Sequence, residues 1–165
     1  MQRLKISKLP TIRITPRYKK CLKIIAFHFI LPISIGTMIY LLFRPLHLTV
    51  FHWAETLGLY NVILNARDLI DFYNYMPEWV IYSLPNGLWS YSFMFFISFI
   101  WGDVKSLGKI FFIFIVIALS VGSELGQLLN LVPGAFCLSD VFTYSVGLLL
   151  GYCYGSKYPK GGIIL

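Results

Sequence analysis

The apolar residues of this chain fall into four long runs, and polar, charged or proline-containing residues separate each run from the next. The runs cover residues 24–43, 79–101, 110–129 and 139–155. Because a helix rises about 1.5 Å per residue, about 20 apolar residues cross the roughly 30 Å hydrocarbon core of a bilayer. The pattern therefore predicts an all-α, polytopic membrane protein, in which a bundle of four transmembrane helices occupies residues 24–156.

The segment 44–77, between the first two runs, has a different pattern. Residues 47–60 are rich in aromatic side chains, and residues 59–73 repeat apolar positions at helical spacing. Neither piece is long and apolar enough to be predicted as a span. Because Trp and Tyr prefer the membrane–water interface, we predict interfacial helices in this first outer loop.

The composition also indicates a chain solvated by lipid. Of the 165 residues, 58% are hydrophobic and only 13% are charged, whereas soluble domains carry roughly 25% charged residues. The net charge of +7 is concentrated in a basic arm, residues 1–23, which holds eight of the 14 Lys and Arg residues. Such an arm beside a span marks the cytoplasmic side and contacts anionic lipid. We expect no nucleic-acid partner, because a hydrophobic span follows the arm directly.

The positive-inside rule predicts the orientation of the four spans. With a cytoplasmic amino terminus, 12 of the 14 Lys and Arg residues lie in the cytoplasm, and only Arg44 and Arg67 lie outside. An odd number of spans would instead place Lys157 and Lys160 outside. We therefore expect both termini, including the tail at residues 157–165, to be cytoplasmic.

Polar residues interrupt the third run and begin the fourth. An ionisable side chain such as Glu124 costs roughly 2.5–3.5 kcal/mol inside a span, so it usually faces protein or water. Helix rise places Glu124 and Asn86 at similar depths, roughly 10 Å below the outer face. We predict an outward-opening polar pocket in the outer leaflet. Its predicted ligand-binding residues are Glu124, Gln127, Asp140, Asn86, Ser123 and Arg67, with Trp89 beside the apolar part of the ligand.

A simpler alternative stays open for the same residues. They could only form hydrogen bonds between helices and cap helix ends, since an acid such as Asp140 is favoured at a helix start. Trp89 could equally face lipid. Two neighbouring carboxylates in a low-dielectric setting would also suit a proton relay or a cation site.

Glycines recur at a spacing of four in the last two runs. Gly122 and Gly126 form one pair in the third run, and Gly147, Gly151 and Gly155 form a triple in the fourth. Small residues at this spacing let helix backbones approach closely in lipid. We expect the third and fourth spans to form a helix hairpin that packs through these glycines.

The sequence contains no motif of a metal site or a nucleophilic enzyme. There is no H-E-x-x-H, G-x-S-x-G, Walker loop or C-x-x-C. The three cysteines lack metal-ligand spacing, and no histidine can be connected to the polar cluster. We therefore predict no metal, no cofactor and no catalytic residue, and we disfavour an enzyme.

The last third of the chain resembles the VanZ-like family of small bacterial membrane proteins. That family carries E-x-x-Q in its third span, then a turn, and D-x-x-x-N-x-x-G-x-x-x-G in its fourth. The matching residues here are Glu124, Gln127, Asp140, Gly147 and Gly151, with a Pro-Gly turn between them. This chain departs from the pattern at Tyr144, where the family usually has Asn, and at Ala135, where Arg commonly follows Pro-Gly.

The resemblance implies a cell-envelope protein of the bacterial cytoplasmic (inner) membrane, whose best-known relatives lower sensitivity to the glycopeptide teicoplanin. We expect the pocket to bind membrane lipid, a lipid-linked envelope precursor or another amphiphile. A second hypothesis is a small transporter subunit that uses Glu124 as a proton or cation site. A third is a non-catalytic protein that docks a membrane-protein partner, or a second copy of itself, through its glycine faces and basic arm.

Overall fold

The computed structural model describes residues 16–69 and 76–158, and within these ranges every regular element is helical. The all-α prediction is therefore confirmed. The predicted basic arm up to residue 15, the end of the predicted amphipathic stripe at residues 70–75 and the tail from residue 159 lie outside the described residues. The helices are α1 (Pro16–Ile25), α2 (Leu31–Phe43), α3 (Thr49–Thr56), α4 (Tyr60–Asp68), α5 (Glu78–Tyr82), α6 (Leu84–Trp101), α7 (Leu107–Leu128) and α8 (Leu138–Gly155).

Helices α1 and α2 form one continuous rod. A single wide turn of π-helix, Ala26–Ile30, joins them. Pro32 has no backbone N–H for the carbonyl of His28, one turn earlier, and this loss of a regular helical bond coincides with the widened turn. The side chain of His28 is held inside the bundle, where its Nδ1 lies 2.5 Å from the hydroxyl of Tyr91.

Two helices among the described residues are long and apolar enough to cross a membrane. They are Lys19–Phe43, with 25 residues, and Leu107–Leu128, with 22 residues. Only 11% of the most apolar window of each helix is buried inside the protein. Helices α6 and α8 do not meet the same criterion of length and hydropathy. The structure therefore suggests a membrane protein and identifies two of the four predicted spans as candidates.

Helix α6 is the centre of the fold, because α2, α7 and α8 all pack against it. Its buried face combines large apolar side chains, such as Phe95, with small polar ones. Two of these serines satisfy their hydroxyls on their own helix: Ser90 Oγ donates to the carbonyl of Gly87 at 2.9 Å, and Ser92 Oγ donates to that of Leu88 at 2.8 Å. Helix α6 is thus the most enclosed of the long helices, and part of its buried face is polar.

The glycine triple of α8 lies against α6. A Cβ on Gly147 would collide with the carbonyl oxygen of Gly87. A Cβ on Gly151 would lie 2.5 Å from the carbonyl oxygen of Tyr91, and one on Gly155 would lie 2.6 Å from that of Phe95. Only glycine permits this approach of the two backbones.

The expected packing of the α7 glycines against the fourth span is not what the structure has. A Cβ on Gly122 would meet only atoms of α7 itself, and one on Gly126 would lie 2.8 Å from Val132 in the following turn. The reason is that α8 presents its glycine face to α6, so the third and fourth spans do not pack through a shared glycine seam. Gly126 instead leaves room for the chain to turn back after α7.

The second predicted span is interrupted where Ser83 separates α5 from α6. Pro85 lies in the first turn of α6, a position that tolerates the missing N–H. The Thr143 hydroxyl of α8 donates to the carbonyl of Ser83 at 3.0 Å. The interruption therefore coincides with a contact between α6 and α8.

Candidate functional site

A polar cavity of about 500 Å³ lies where the start of α8 meets the end of α2 and helix α5. It combines one cation, two carboxylates and two large aromatic rings. We call it the polar cavity, and its lining residues are Arg44, Glu78, Trp79, Tyr82, Ser83, Ala135, Cys137, Ser139 and Asp140.

Arg44, which follows α2 directly, supplies the cation of the polar cavity. Its Nη2 donates to the carbonyl of Tyr82 at 3.1 Å. Its guanidinium lies 5.2 Å from the ring centroid of Tyr40 and 4.7 Å from that of Tyr82. Its Nε is buried and has no hydrogen-bond acceptor. The aromatic rings and the carbonyl orient Arg44 but do not neutralise its charge.

Arg67 does not line the polar cavity, although it was predicted to bind ligand. Its Nε and Nη2 donate to the carbonyl of Leu41 at 2.8 and 2.6 Å, and Nη2 also donates to the carbonyl of Arg44 at 2.6 Å. Its guanidinium lies 4.9 Å from the ring centroid of Phe51. Arg67 therefore satisfies carbonyls at the carboxyl end of α2, which a helix leaves without partners, and it fixes the backbone that carries Arg44.

The two predicted acids lie close to one another. Glu124 of α7 is only 3% exposed, and its Oε2 accepts a hydrogen bond from the backbone N–H of Cys137 at 3.2 Å. Asp140 lies in the first turn of α8, where the helix dipole favours an acid. Its Oδ1 is buried without a hydrogen-bond partner. Glu124 thus holds the backbone of a residue that lines the polar cavity, while Asp140 lines the cavity directly.

Tyr144 connects these groups. Its hydroxyl lies beside the Ser123 side chain, within electrostatic range of Glu124, Asp140 and Arg44. The Ser123 hydroxyl itself donates to a backbone carbonyl one turn earlier in α7, at 2.6 Å. Of the predicted residues, the structure therefore brings together Glu124, Asp140 and Ser123.

The remaining predicted residues lie around this group and not in the polar cavity. Asn86 is buried, and its Nδ2 donates to the carbonyl of Tyr82 at 3.3 Å, the same carbonyl that Arg44 contacts. Gln127 packs on the turn after α7, where a Cβ on Gly134 would lie 2.6 Å from its Nε2. Asn86 and Gln127 shape the surroundings of the polar cavity.

An apolar cleft of about 420 Å³ opens between α6 and α7. Trp89 lies at this cleft, and on its other side its indole lies against Gly36 and the ring of Tyr40. Tyr144 also lines the cleft, so one side chain borders both the cleft and the group formed by Glu124, Asp140 and Ser123. The full lining of the apolar cleft is Trp89, Ser90, Phe93, Ile97, Phe112, Ile115, Val116, Leu119, Ser120 and Tyr144.

Sequence reasoning missed four residues that define this site. In the sequence Arg44 indicates only the orientation of the spans, although a cation at the end of an apolar run is also a candidate binding group. Glu78 and Tyr82 belong to the short helix before Ser83, and no motif marked them. Tyr144 was noted only as a departure from a family pattern, although a tyrosine one turn after an acid offers a hydroxyl on the same helix face.

The described residues contain no cluster of three or more His, Cys, Asp and Glu side chains that could hold a metal ion. The arrangement offers instead hydrogen-bonding and charged groups at one end and an apolar surface beside them. Such a site can bind a molecule that has both a polar and an apolar part.

No protein-family model, curated protein or solved structure matches this chain. The class of protein that the structure defines is an all-α protein with two helices, Lys19–Phe43 and Leu107–Leu128, that are able to cross a membrane.

Proposed function

We propose that the chain is a multi-pass protein of the bacterial inner membrane, with four spans and both termini in the cytoplasm. The spans would be α1–α2, α5–α6, α7 and α8. The charge distribution supports this topology, since only Arg44 and Arg67 would lie outside. The low hydropathy of α6 fits a span enclosed by other spans, because its buried serines and Asn86 face protein.

Within this topology the protein binds an amphiphile from the outer leaflet. The polar cavity takes the headgroup, and the apolar cleft takes a hydrocarbon chain. The observation that carries the proposal is the position of Tyr144, which lines the cleft and lies within electrostatic range of Glu124 and Asp140. A ligand with a polar end and an apolar end would satisfy both surfaces at once.

The resemblance to the VanZ-like family adds a physiological proposal. It rests on Glu124, Gln127, Asp140, Gly147 and Gly151, which match the family pattern. On that basis the ligand is a lipid-linked envelope precursor or a related envelope lipid, and the protein lowers sensitivity to teicoplanin. Deleting the gene and measuring growth on teicoplanin tests this part separately from lipid binding.

The binding proposal is tested by mass spectrometry of lipid retained by the purified protein. Val116→Trp would fill the apolar cleft with a large ring, whereas Ile117→Trp places the same ring on an exposed position of α7 that does not line the cleft. We expect the Val116→Trp protein to lose its co-purified lipid and the Ile117→Trp protein to keep it. Equal retention by the two variants, or none by the natural protein, would overturn the proposal.

The burial of Glu124 favours a second candidate function, a small proton- or cation-coupled transporter subunit. A carboxylate that is 3% exposed inside a span is a common feature of ion pathways. Proton-coupled flux in proteoliposomes that disappears on Glu124→Gln would favour this function over simple binding. A protein that retains lipid but shows no flux would exclude it.

A third candidate, a docking or assembly protein, loses one of its predicted surfaces. Gly147, Gly151 and Gly155 are covered by α6 of the same chain, so they are not available to a partner. This candidate would then depend on the basic arm and on the face of α7 around Gly122, which no other helix of the described residues covers. Stoichiometric co-purification with another membrane protein that is abolished by removing residues 1–15 would support it.

A further inference from the structure

We propose that the headgroup bound in the polar cavity is a zwitterion that carries a phosphate and a primary ammonium group, as in an ethanolamine phospholipid. This inference rests on the proposed function and narrows it to one headgroup chemistry. The charged and aromatic side chains that line the cavity support it.

The cationic half of the polar cavity is Arg44. Its Nη2 contacts only a backbone carbonyl, and its Nε has no acceptor. Within residues 16–69 and 76–158 no ion pair joins Arg44 to a carboxylate. An arginine is well suited to a phosphate, because its planar donors match the phosphate oxygens. A bound phosphate would therefore give Arg44 the charged hydrogen bonds that no carboxylate of the described residues gives it.

The anionic half consists of Glu78 and Asp140, with Glu124 behind the Cys137 wall. The carboxylates of Glu78 and Asp140 line the cavity, and they can accept hydrogen bonds from a bound group. A primary ammonium group has three N–H donors and can bond to these carboxylates. A quaternary ammonium group has no N–H donor. The two carboxylates therefore favour ethanolamine over choline.

The aromatic residues that line the polar cavity fit the same ligand. Trp79 and Tyr82 line the cavity beside Glu78 and Asp140. An ammonium group is attracted to the faces of such rings, most strongly to that of Trp. An aromatic wall next to carboxylates is therefore favourable for a cation and gives no advantage to an anion.

The mixture of charges disfavours ligands that carry one sign only. A headgroup with a phosphate but no amine would meet Arg44 but would also face Glu78 and Asp140, and like charges that close together cost free energy. A simple cation would meet the carboxylates but would face Arg44. Only a headgroup with both charges leaves neither half of the cavity unpaired.

The test uses the full chain in detergent with equimolar phospholipids that share their acyl chains and differ only in headgroup: ethanolamine, choline and glycerol. Native mass spectrometry measures which lipid remains bound. We expect the ethanolamine lipid to be retained about tenfold over each of the other two, the size of effect expected from one charged hydrogen bond. A preference for the glycerol lipid, or no preference, would overturn the inference and leave amphiphile binding intact.

Variants assign the selectivity to the polar cavity. Asp140→Asn should abolish the preference for ethanolamine over choline, and Arg44→Gln should weaken retention of all three lipids. Glu55→Gln, at an exposed position of α3 that does not line the cavity, should change neither. A preference that survives Asp140→Asn would overturn the assignment to this cavity. If Asp140→Asn does not fold, Glu78→Gln provides the same comparison.

A final arm separates a lipid from a small soluble ligand of the same chemistry. Free O-phosphoethanolamine is added at increasing concentration to the lipid-loaded protein. We expect it to displace the lipid only weakly, because it cannot fill the apolar cleft. Displacement at equal concentrations would support the zwitterionic headgroup but would overturn the proposal that the ligand is an amphiphile. If no phospholipid is retained in any arm, the proposed function itself fails.

Discussion

Helices α7 and α8 follow one another along the chain and are both apolar, but they are held in the protein in different ways. Helix α8 lays its three glycines against the backbone of α6. Helix α7 has contacts with both neighbours but leaves most of its large side chains exposed, and only 11% of its most apolar window is buried. Both helices leave most of their large side chains exposed, so they differ in how closely one face meets α6 and not in how much of the helix is buried.

The difference shows that hydropathy does not decide how closely two helices pack against each other. In lipid there is no hydrophobic force between helices, so close packing depends on where small residues let backbones meet. The α6–α8 interface has such residues, and α7 has an open cleft toward α6 instead. The enclosed interface holds the fold together, and the loose side provides the space that we assign to a ligand.

The largest effect is expected when one phenylalanine is replaced at the enclosed interface and another on the exposed face of α7. Phe95 of α6 is 0% exposed, and Phe114 of α7 is 66% exposed. We expect Phe95→Ala to lower the free energy of unfolding by about 3–5 kcal/mol because it leaves a cavity. Phe114→Ala should change it by less than about 0.5 kcal/mol. Unfolding in mixed micelles measures both, and similar losses would contradict the contrast.

A second test uses the glycines. Gly151→Leu forces a side chain into the backbone of α6 and should lower the free energy of unfolding by about 3 kcal/mol or abolish folding. Gly122→Leu is the matched control, since a Cβ there meets only its own helix, and it should be close to neutral. Thermal unfolding followed by size-exclusion chromatography distinguishes them. A destabilised Gly122→Leu protein would show that α7 has a close partner after all.

A smaller effect is expected at the end of α2, where a side chain and not a helix backbone makes the contact. Arg67→Ala removes the donors to the carbonyls of Leu41 and Arg44 and should cost about 2 kcal/mol. Asn65→Ala, at an exposed position of α4, the helix that carries Arg67, should leave the free energy of unfolding unchanged. If Arg67 also positions Arg44, Arg67→Ala should weaken lipid retention even in protein that remains folded. Unchanged retention would limit Arg67 to a structural role.

The helical plan follows from the periodicity and length of the apolar runs, because these are local properties of the sequence. The proximity of Glu124 and Asp140 follows as well, since a short turn joins the ends of α7 and α8. The partner of the glycine triple does not follow, because Gly147 has the same local pattern whether it meets α7 or α6. Only the placement of Gly87 and Tyr91 on the facing helix decides between them.

The cavity residues were harder to predict for a related reason. Arg44 and Arg67 look alike in the sequence, each a single cation in the segment after the first run. They differ in what lies nearby in space: Arg67 finds the free carbonyls at the end of α2, whereas Arg44 faces Tyr82 and the start of α8. Contacts between a side chain and a distant backbone leave no spacing pattern that could be recognised in advance.

The break at Ser83 has a consequence for how such a protein can diverge. The carbonyl of Tyr82 accepts hydrogen bonds from Arg44 and Asn86, and the carbonyl of Ser83 accepts one from Thr143. A main-chain oxygen is present whatever amino acid occupies the position. Any residue at 82 or 83 could therefore accept these hydrogen bonds. A homologue could therefore change the side chains at 82 and 83 and keep these hydrogen bonds, provided that the donors Arg44, Asn86 and Thr143 are retained.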